Sequence, residues 1–410
     1  MQTLLNKLRR IRPGNILAVL FLAYLGFVAC SALPRVSYEL GRCLYWQTGI
    51  QEFINAVDEH SEDLLSLEQD KTLLLNKGSY INLNGLMAKL MGQPEINDRL
   101  MLTNGHLSTL PGELPDEEKI REATERILRL YEAQTASGGN FLFVMAPVQI
   151  DKYEDLLPVG YEDTINGPAD TFLTLLQEAG VPCLDLREEM HKDGISVTDA
   201  YYVTDHHWTL DTGFWAYRKI LNKLEQMQII DPVDPFYTNP ENYTFATHED
   251  VFLGSSGKRT GIYYGGLDDF EFIYPNFETD ISVSVPSEDY ECRGPYEEVS
   301  YHQRLEYDLE DPDYFNTNFY ALYGWNDTPI THWRNEHAAD QNKFLLIGDS
   351  FSNIPFSLMS LNLGIMDEVD VRYFEGNFSD YYYDYRPDTV ILEFNSAAII
   401  AEFTYYDYIK

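Results

Sequence analysis

The sequence of 410 residues predicts an α/β fold built on a mainly parallel sheet. Three observations lead there. Short continuous apolar runs recur at Phe141–Met145, Val181–Leu184 and Phe344–Ile347, as strands covered on both faces require, and Val369–Tyr373 and Val390–Phe394 restore the strand pattern later in the chain. Segments with apolar residues at three- and four-residue spacing alternate with those runs. An apolar content of 44%, with 30 Tyr and 22 Phe, supplies the core that a disordered acidic chain lacks.

The elements follow in order. Lys7, Arg9, Arg10 and Arg12 precede Ile16–Leu33, an uncharged stretch of 18 residues. At about 1.5 Å per residue it spans about 27 Å, close to a bilayer's hydrocarbon thickness. Arg35 is the one cation just after it, so the charge bias puts the N-terminus inside. Residues 1–35 thus read as a cytoplasmic stub and transmembrane signal anchor. Two other readings stay open: a cleavable signal peptide, given the small residues Ala29–Ala32, and a lipobox-like Phe27–Cys30. All three place the rest of the chain outside the cytoplasm. Residues 36–110 form an N-terminal extension of undefined type, with turn signals at Asn84-Gly85 and Asn104-Gly105.

The catalytic region is expected over 111–410. Pro115–Glu118 opens a helix with Ile120, Ala123, Ile127 and Tyr131 on one face, and residues 168–179 make another, ended by Gly180. Leu210–Leu224 is helical, with Phe214, Tyr217, Ile220, Leu221 and Leu224 as its stripe. Residues 232–340 lose that periodicity and read as an insertion of loops and short strands. A helix over Ser352–Leu361 follows the strand Phe344–Ile347. Tyr381–Tyr385 reads as a surface loop beside Pro387.

Charge narrows the function. Lys+Arg 29 against Asp+Glu 66 leaves a net charge of −37, which excludes a nucleic-acid binder with its basic face. Such a surface repels anionic polymers, so a polymeric partner is expected to be neutral or cationic. Four cysteines are too few to staple a chain of this length. Cys43, Cys183 and Cys292 could pair outside the cytoplasm, but Cys183 reads as a buried small hydrophobe and no catalytic thiol is expected.

Two motifs carry chemistry. Gly348-Asp349-Ser350 follows the strand Phe344–Ile347 directly, at the carboxyl end of a parallel strand, where reactive groups collect. Ser350 would point off the sheet edge, Gly348 would permit the tight turn, and backbone N–H groups after it could meet an oxyanion. Asp205-His206-His207-Trp208-Thr209 precedes a helix. A serine hydroxyl needs a base, and that base needs a carboxylate to hold its tautomer; Asp205 can fold back onto His207. Against this stand a helix cap at Asp205 or Thr209 and a metal site, for which no third ligand sits at recognisable spacing.

Together these motifs resemble the DHHW family and, more broadly, the alginate O-acetyltransferase-like branch of the SGNH hydrolase superfamily. The resemblance rests on Ala146-Pro147 with Tyr153 and Leu156–Pro158, on Tyr202–Thr209, on Phe252–Gly261 and on Phe344–Phe351. It implies an SGNH-like three-layer sandwich in which Asp205 and His207 precede the serine in permuted order. Ser350 would be the nucleophile, His207 its base and Asp205 the orienter. The superfamily's oxyanion hole adds a Gly and an Asn to the serine amide; Asn353 and Asn395 are the candidates. Glu393 would be the remnant of a charged pair that related acetyltransferases carry.

The reading that results is a membrane-anchored extracytoplasmic enzyme that moves an acyl group, acetyl above all, onto a hydroxyl of a cell-surface glycan through an acyl-serine. The resemblance also implies a multi-spanning membrane O-acyltransferase as the source of acyl groups. A carbohydrate acetylesterase and a non-catalytic glycan-binding scaffold are the alternatives. No cofactor and no metal are expected. Trp208, Trp215, Trp325 and Trp333 could stack on sugar rings, although aromatic residues are more often core. Asp308, Asp311 and Asp313 are too irregularly spaced for calcium and read as a solvated loop.

Overall fold

A computed structural model of the chain describes residues 77–301, 308–325, 328–398 and 408–409. The apolar stretch Ile16–Leu33, Cys43 and residues 36–76 of the extension lie outside the described residues. No described helix is long and apolar enough to cross a membrane. The chain divides into two units, Met1–Met87 and Ala88–Lys410. The described part of the first, 77–87, lies in the helix Lys77–Leu90.

Three short strands, β1 (Glu95–Ile96), β2 (Arg99–Met101) and β3 (Leu107–Thr109), pair antiparallel in the next stretch. Ten more follow: β4 (Asn140–Ala146), β5 (Cys183–Asp185), β6 (Tyr243–Phe252), β7 (Asp268–Pro275), β8 (Ile281–Val285), β9 (Tyr290–Gly294), β10 (Ile330–Arg334), β11 (Asp340–Gly348), β12 (Leu363–Val369) and β13 (Thr389–Asn395). Eight of them form one sheet in the order β5-β4-β13-β11-β12-β10-β8-β9, while β6 and β7 pair separately.

The strands from β5 to β12 run parallel, whereas β10, β8 and β9 add on antiparallel. The sheet is therefore mixed, where a mainly parallel one was expected. The reason lies in residues 232–340. The short strands expected there include β8, β9 and β10, which join the edge of the main sheet. Ile281, Val283 and Val285 alternate with half-buried Ser282 and Ser284, the pattern of a strand with one covered face.

Layers follow from the pleat. Leu142, Val144, Phe344, Leu346 and Ile391 pack on one face of the sheet with the helices Leu210–Gln226 and Asn353–Met359. Phe141, Phe143, Leu345, Val390 and Leu392 pack on the other with Glu117–Ala136 and Asn166–Glu178. Each fully buried Leu, Ile, Val or Phe contributes about 1.5–3 kcal/mol, so the central strands, apolar on both faces, are strongly held.

Two local expectations change. The strand expected at Val369–Tyr373 ends at Val369 and begins at Leu363. Asp367 and Glu368 interrupt its apolar run and hid it; Asp367 is buried because Arg334 and Tyr381 donate to it. Tyr381–Tyr385 is not a loop but the end of the helix Phe378–Tyr385. Tyr382 is buried there and its hydroxyl donates to Gln134 Oε1 at 2.7 Å.

Candidate active site

Both motifs lie beside the carboxyl ends of the parallel strands. β11 ends at Gly348, whose register partner on β13 is Glu393. Glycine is needed here for close approach: a Cβ on Gly348 would lie 2.7 Å from Ser352 Cβ. Asp349 then staples the turn. Its Oδ1 accepts the Phe351 N–H at 2.9 Å, and its Oδ2 accepts the backbone N–H and the side-chain amide of Asn395 at 2.9 and 2.6 Å. Burial pushes the Asp349 carboxyl up. Ser350, the next residue, stays partly exposed.

The second motif is a tight loop. Tyr201 bridges Trp208 antiparallel, and the Thr209 N–H donates to Ala200 O at 2.9 Å. Thr209 caps the helix Leu210–Gln226 by accepting from the Thr212 N–H. Asp205 is thereby left to face the histidines. Its Oδ1 accepts from His207 Nδ1 at 2.5 Å and from the His207 backbone N–H at 3.0 Å. The Asp205 carboxylate, an acceptor only, calls for a proton on Nδ1, and in that tautomer Nε2 is the nitrogen that can accept. Nε2 lies 2.7 Å from Ser350 Oγ, across 143 positions of sequence.

Burial alone would push the Asp205 carboxyl up. The facing imidazoles of His207 and His206, with hydrogen bonds from His207 and the Ser255 amide, outweigh it and hold the group well below the usual carboxylate range. Asp205 is therefore a fixed anion aimed at His207. The His207 ring also lies flat on Tyr320, with centroids 3.7 Å apart and planes 8° apart, and touches Phe351 at 5.2 Å.

Several supports were invisible to the motif reading. Ser255 donates its backbone N–H to Asp205 Oδ2 at 2.6 Å, and its hydroxyl lies 2.9 Å from His206 Nδ1. Gln149 gives both amide hydrogens to the loop, to Tyr202 O at 3.0 Å and Asp205 O at 2.8 Å. Asp268 accepts the Val203 and Thr204 N–H groups and the Thr204 hydroxyl. Burial raises the Asp268 carboxyl to about 6. Ser255 stood inside the quoted stretch Phe252–Gly261, and Gln149 stands just past β4. Asp268 and Tyr320 carried no local signal.

The remaining candidates scatter. Asn395 lies at the site, but its amide holds Asp349. Asn353 is buried as the first residue of the helix Asn353–Met359. Trp208 is 0% exposed and packs edge-on against Phe351. Trp325 is buried, its indole donating to Val299 O at 3.1 Å. Trp333 is buried too and donates to Glu368 Oε2 at 3.0 Å. These three are core residues and offer no face to a sugar. Trp215 is partly exposed, donates to Asp193 Oδ2 at 2.8 Å and lies under Lys219. Glu393 is 0% exposed with neither carboxylate oxygen matched among the described residues, and burial pushes its carboxyl well up.

Asp205, His206 and His207 bring potential metal-ligand atoms within 4.8 Å of one another. Both ring nitrogens of His207 are already engaged by Asp205 and Ser350, which is the arrangement of a proton relay. Asp308 caps its own turn by accepting from the Glu310 and Asp311 N–H groups. Cys183 and Cys292 carry free thiols, and burial pushes that of Cys183 up to about 12.

Known proteins fit this picture. Residues 106–240 match the family described as SGNH hydrolase-like domain, acetyltransferase AlgX, a stretch that contains Asp205 and His207 and ends before Ser350. No curated protein matches the chain. Bacillus cereus PatB1, solved with a sulfonyl adduct, is 18% identical with a TM-score of 0.61, covering 74% of this chain and 96% of its own. A DHHW family protein from Eubacterium siraeum is 17% identical with a TM-score of 0.55, covering 75% and 94%. The match over 106–240 agrees with the resemblance drawn from the motifs, and the solved structures share the α/β fold with its large mixed sheet.

Proposed function

Starting from an SGNH hydrolase-like domain of acetyltransferase type, we propose that this chain is an extracytoplasmic O-acyltransferase that esterifies hydroxyls of a cell-surface glycan. The observation that carries the reading is the continuous relay Ser350 Oγ, His207 Nε2, His207 Nδ1, Asp205 Oδ1, with links of 2.7 and 2.5 Å.

The steps follow from those links. Ser350 Oγ attacks the acyl carbonyl of the donor while its proton passes to His207 Nε2. Asp205, held ionised, stabilises the imidazolium that forms. The oxyanion develops beside the Ser350 backbone N–H, which has no acceptor among the described residues. Collapse breaks the bond to the donor's leaving group, which takes the proton from His207. An acyl-serine remains. A glycan hydroxyl then gives its proton to His207 and attacks the acyl carbon, and Ser350 Oγ leaves with that proton.

The topology belongs to the same proposal. Ile16–Leu33 anchors the domain to the outer face of the membrane, and a multi-spanning membrane O-acyltransferase hands acyl groups outward, since one span cannot carry a donor across. Protease treatment of intact spheroplasts should digest the domain; protection would refute that placement.

The chemistry is tested by incubating the protein with p-nitrophenyl acetate, with and without a neutral oligosaccharide. Mass spectrometry should find an acetyl group on Ser350, and sugar esters should appear when the acceptor is present. Phenylmethylsulfonyl fluoride should block the same serine. Ser350→Ala should lower turnover by at least about 1,000-fold without unfolding the chain. An unlabelled Ser350 in a folded protein would refute the reading. Free acetate alone, with Ser350 labelled, would make the protein an esterase, an outcome kept open by the partial exposure of Ser350.

A further inference from the structure

The helix Lys77–Leu90 buries its small residues and exposes its large ones. Gly78, Gly85 and Ala88 are its buried positions and share one face. Leu83, Leu86, Met87 and Leu90 fall at i, i+3, i+4 and i+7 and are all exposed, and Met91 extends the row. Leu90 and Met91 are 74% and 61% exposed. Large apolar side chains in this pattern ordinarily face a core. Left outside as a continuous row, they mark a surface that meets something else.

Charge selects the partner. From Lys71 to Pro94 the sequence holds three lysines and no acid, in a chain with 66 Asp and Glu among 410 residues. Two copies meeting through this row would bring lysines together with no carboxylate in the helix to match them. Anionic lipid headgroups supply that charge, and the edge of the hydrocarbon takes the apolar row. Length fixes the pose. The helix has 14 residues and rises about 21 Å, short of a bilayer's roughly 30 Å, so it lies along the surface.

The end of this helix is tied to the catalytic loop. Ala88 packs in one cluster with Leu107 and Tyr264, and Lys89 Nζ donates to Tyr264 O at 3.0 Å. The Tyr264 hydroxyl donates to Gln93 O at 2.7 Å. Gly265 follows, so close to the loop that an added Cβ would lie 3.3 Å from Thr204 Cγ2. Tyr263, on the other side of Tyr264, is exposed, an aromatic ring of the kind that settles at headgroup level. We propose that Leu83, Leu86, Met87, Leu90 and Met91, with Tyr263 at the C-terminal end of the row, seat the protein on an anionic membrane surface and so tie the loop of Asp205 and His207 to the lipid face. The inference rests on the proposed placement of the domain beside a membrane and is independent of the chemistry at Ser350.

The test uses the full chain with Cys30, Cys43, Cys183 and Cys292 changed to serine and Met87→Cys carrying an environment-sensitive fluorophore. Vesicles of phosphatidylcholine with about 30% phosphatidylglycerol hold it, together with phospholipid spin-labelled near the carbonyl. Quenching should be at least about threefold stronger than for the same label at Tyr383→Cys, an exposed position in the helix before the amino end of β13. Changing Leu83, Leu86 and Leu90 to serine should bring it down to the Tyr383→Cys level in a chain that still unfolds cooperatively. If the serine variant does not fold, the comparison of the two labelled sites decides alone. Blue-shifted emission without quenching means that protein covers the row, and emission as in water means that nothing does. Either result, or quenching that the folded serine variant keeps, overturns the membrane seat. Flotation separates the causes. Protein that floats with the vesicles while its Met87→Cys label stays unquenched removes this inference alone; protein that does not float removes the Ile16–Leu33 anchor with it.

Discussion

Gly254→Ala is the perturbation that most directly interrogates how the site is held. Gly254 sits against the Thr204-Asp205 loop so closely that an added Cβ would lie 2.6 Å from both Asp205 Cα and Thr204 O, and closer still to Asp205 Cβ. Ordinary contacts between carbon atoms begin near 3.5 Å, and the Asp205 Cβ contact is the shortest, so the two loops must separate by more than about 1 Å. The adjacent Ser255 N–H contact to Asp205 Oδ2 measures 2.6 Å and would open beyond about 3.5 Å, where a hydrogen bond is lost. Losing a charge-assisted bond to a buried carboxylate costs about 1.5–3 kcal/mol. A base displaced by about 1 Å costs on the order of 100-fold in rate. Turnover of p-nitrophenyl esters should therefore fall on the order of 100-fold in a chain that still unfolds cooperatively by circular dichroism. Gly167→Ala, where an added Cβ meets nothing within 4 Å, is the control and should be neutral. A folded Gly254→Ala protein with turnover within threefold of wild type would refute this account of Asp205.

Tyr320→Phe should keep the ring face under His207 while removing a buried hydroxyl that has no partner among the described residues; turnover within threefold and a gain of about 1 kcal/mol in urea unfolding are expected. Tyr320→Leu should cut turnover at least tenfold, and equal activity of the two variants would contradict a role for the stacked ring. Stability should fall as pH rises. Burial raises Glu368 from 4.5 to about 8, so the folded chain keeps a proton that the unfolded chain releases above pH 4.5. The cost grows between pH 4.5 and 8 and levels off above, reaching at most about 5 kcal/mol at 1.36 kcal/mol per unit; partial exposure of the residue brings it nearer 2–3. Urea unfolding of Glu368→Gln should lose that part of the slope, and an unchanged pH profile would count against a protonated Glu368.

Runs such as Phe141–Met145 and Phe344–Ile347 announced themselves because strands covered on both faces are apolar throughout. β12 did not, since Asp367 and Glu368 sit within it and are tolerated only through Arg334, Tyr381 and Trp333, which come from elsewhere in the chain. For 232–340 short strands were expected, but not that β8, β9 and β10 would extend the main sheet antiparallel, since nothing local in a five-residue strand says which edge accepts it. Trp208 and Trp325 show the converse, large aromatic rings whose exposure no local pattern could set.

What the sequence determined by itself was the chemistry at hand: a serine after a buried strand, and a carboxylate two residues from an imidazole, close enough to pair within one loop. What only the tertiary structure decided was that these meet, with Ser350 Oγ 2.7 Å from His207 Nε2, and that Ser255, Gln149 and Asp268 hold them there. The physical reason is range. Periodicity and turn propensity act over a few residues, whereas the distance between two loops is set by the register of β11 against β13 and by the packing of both faces of the sheet.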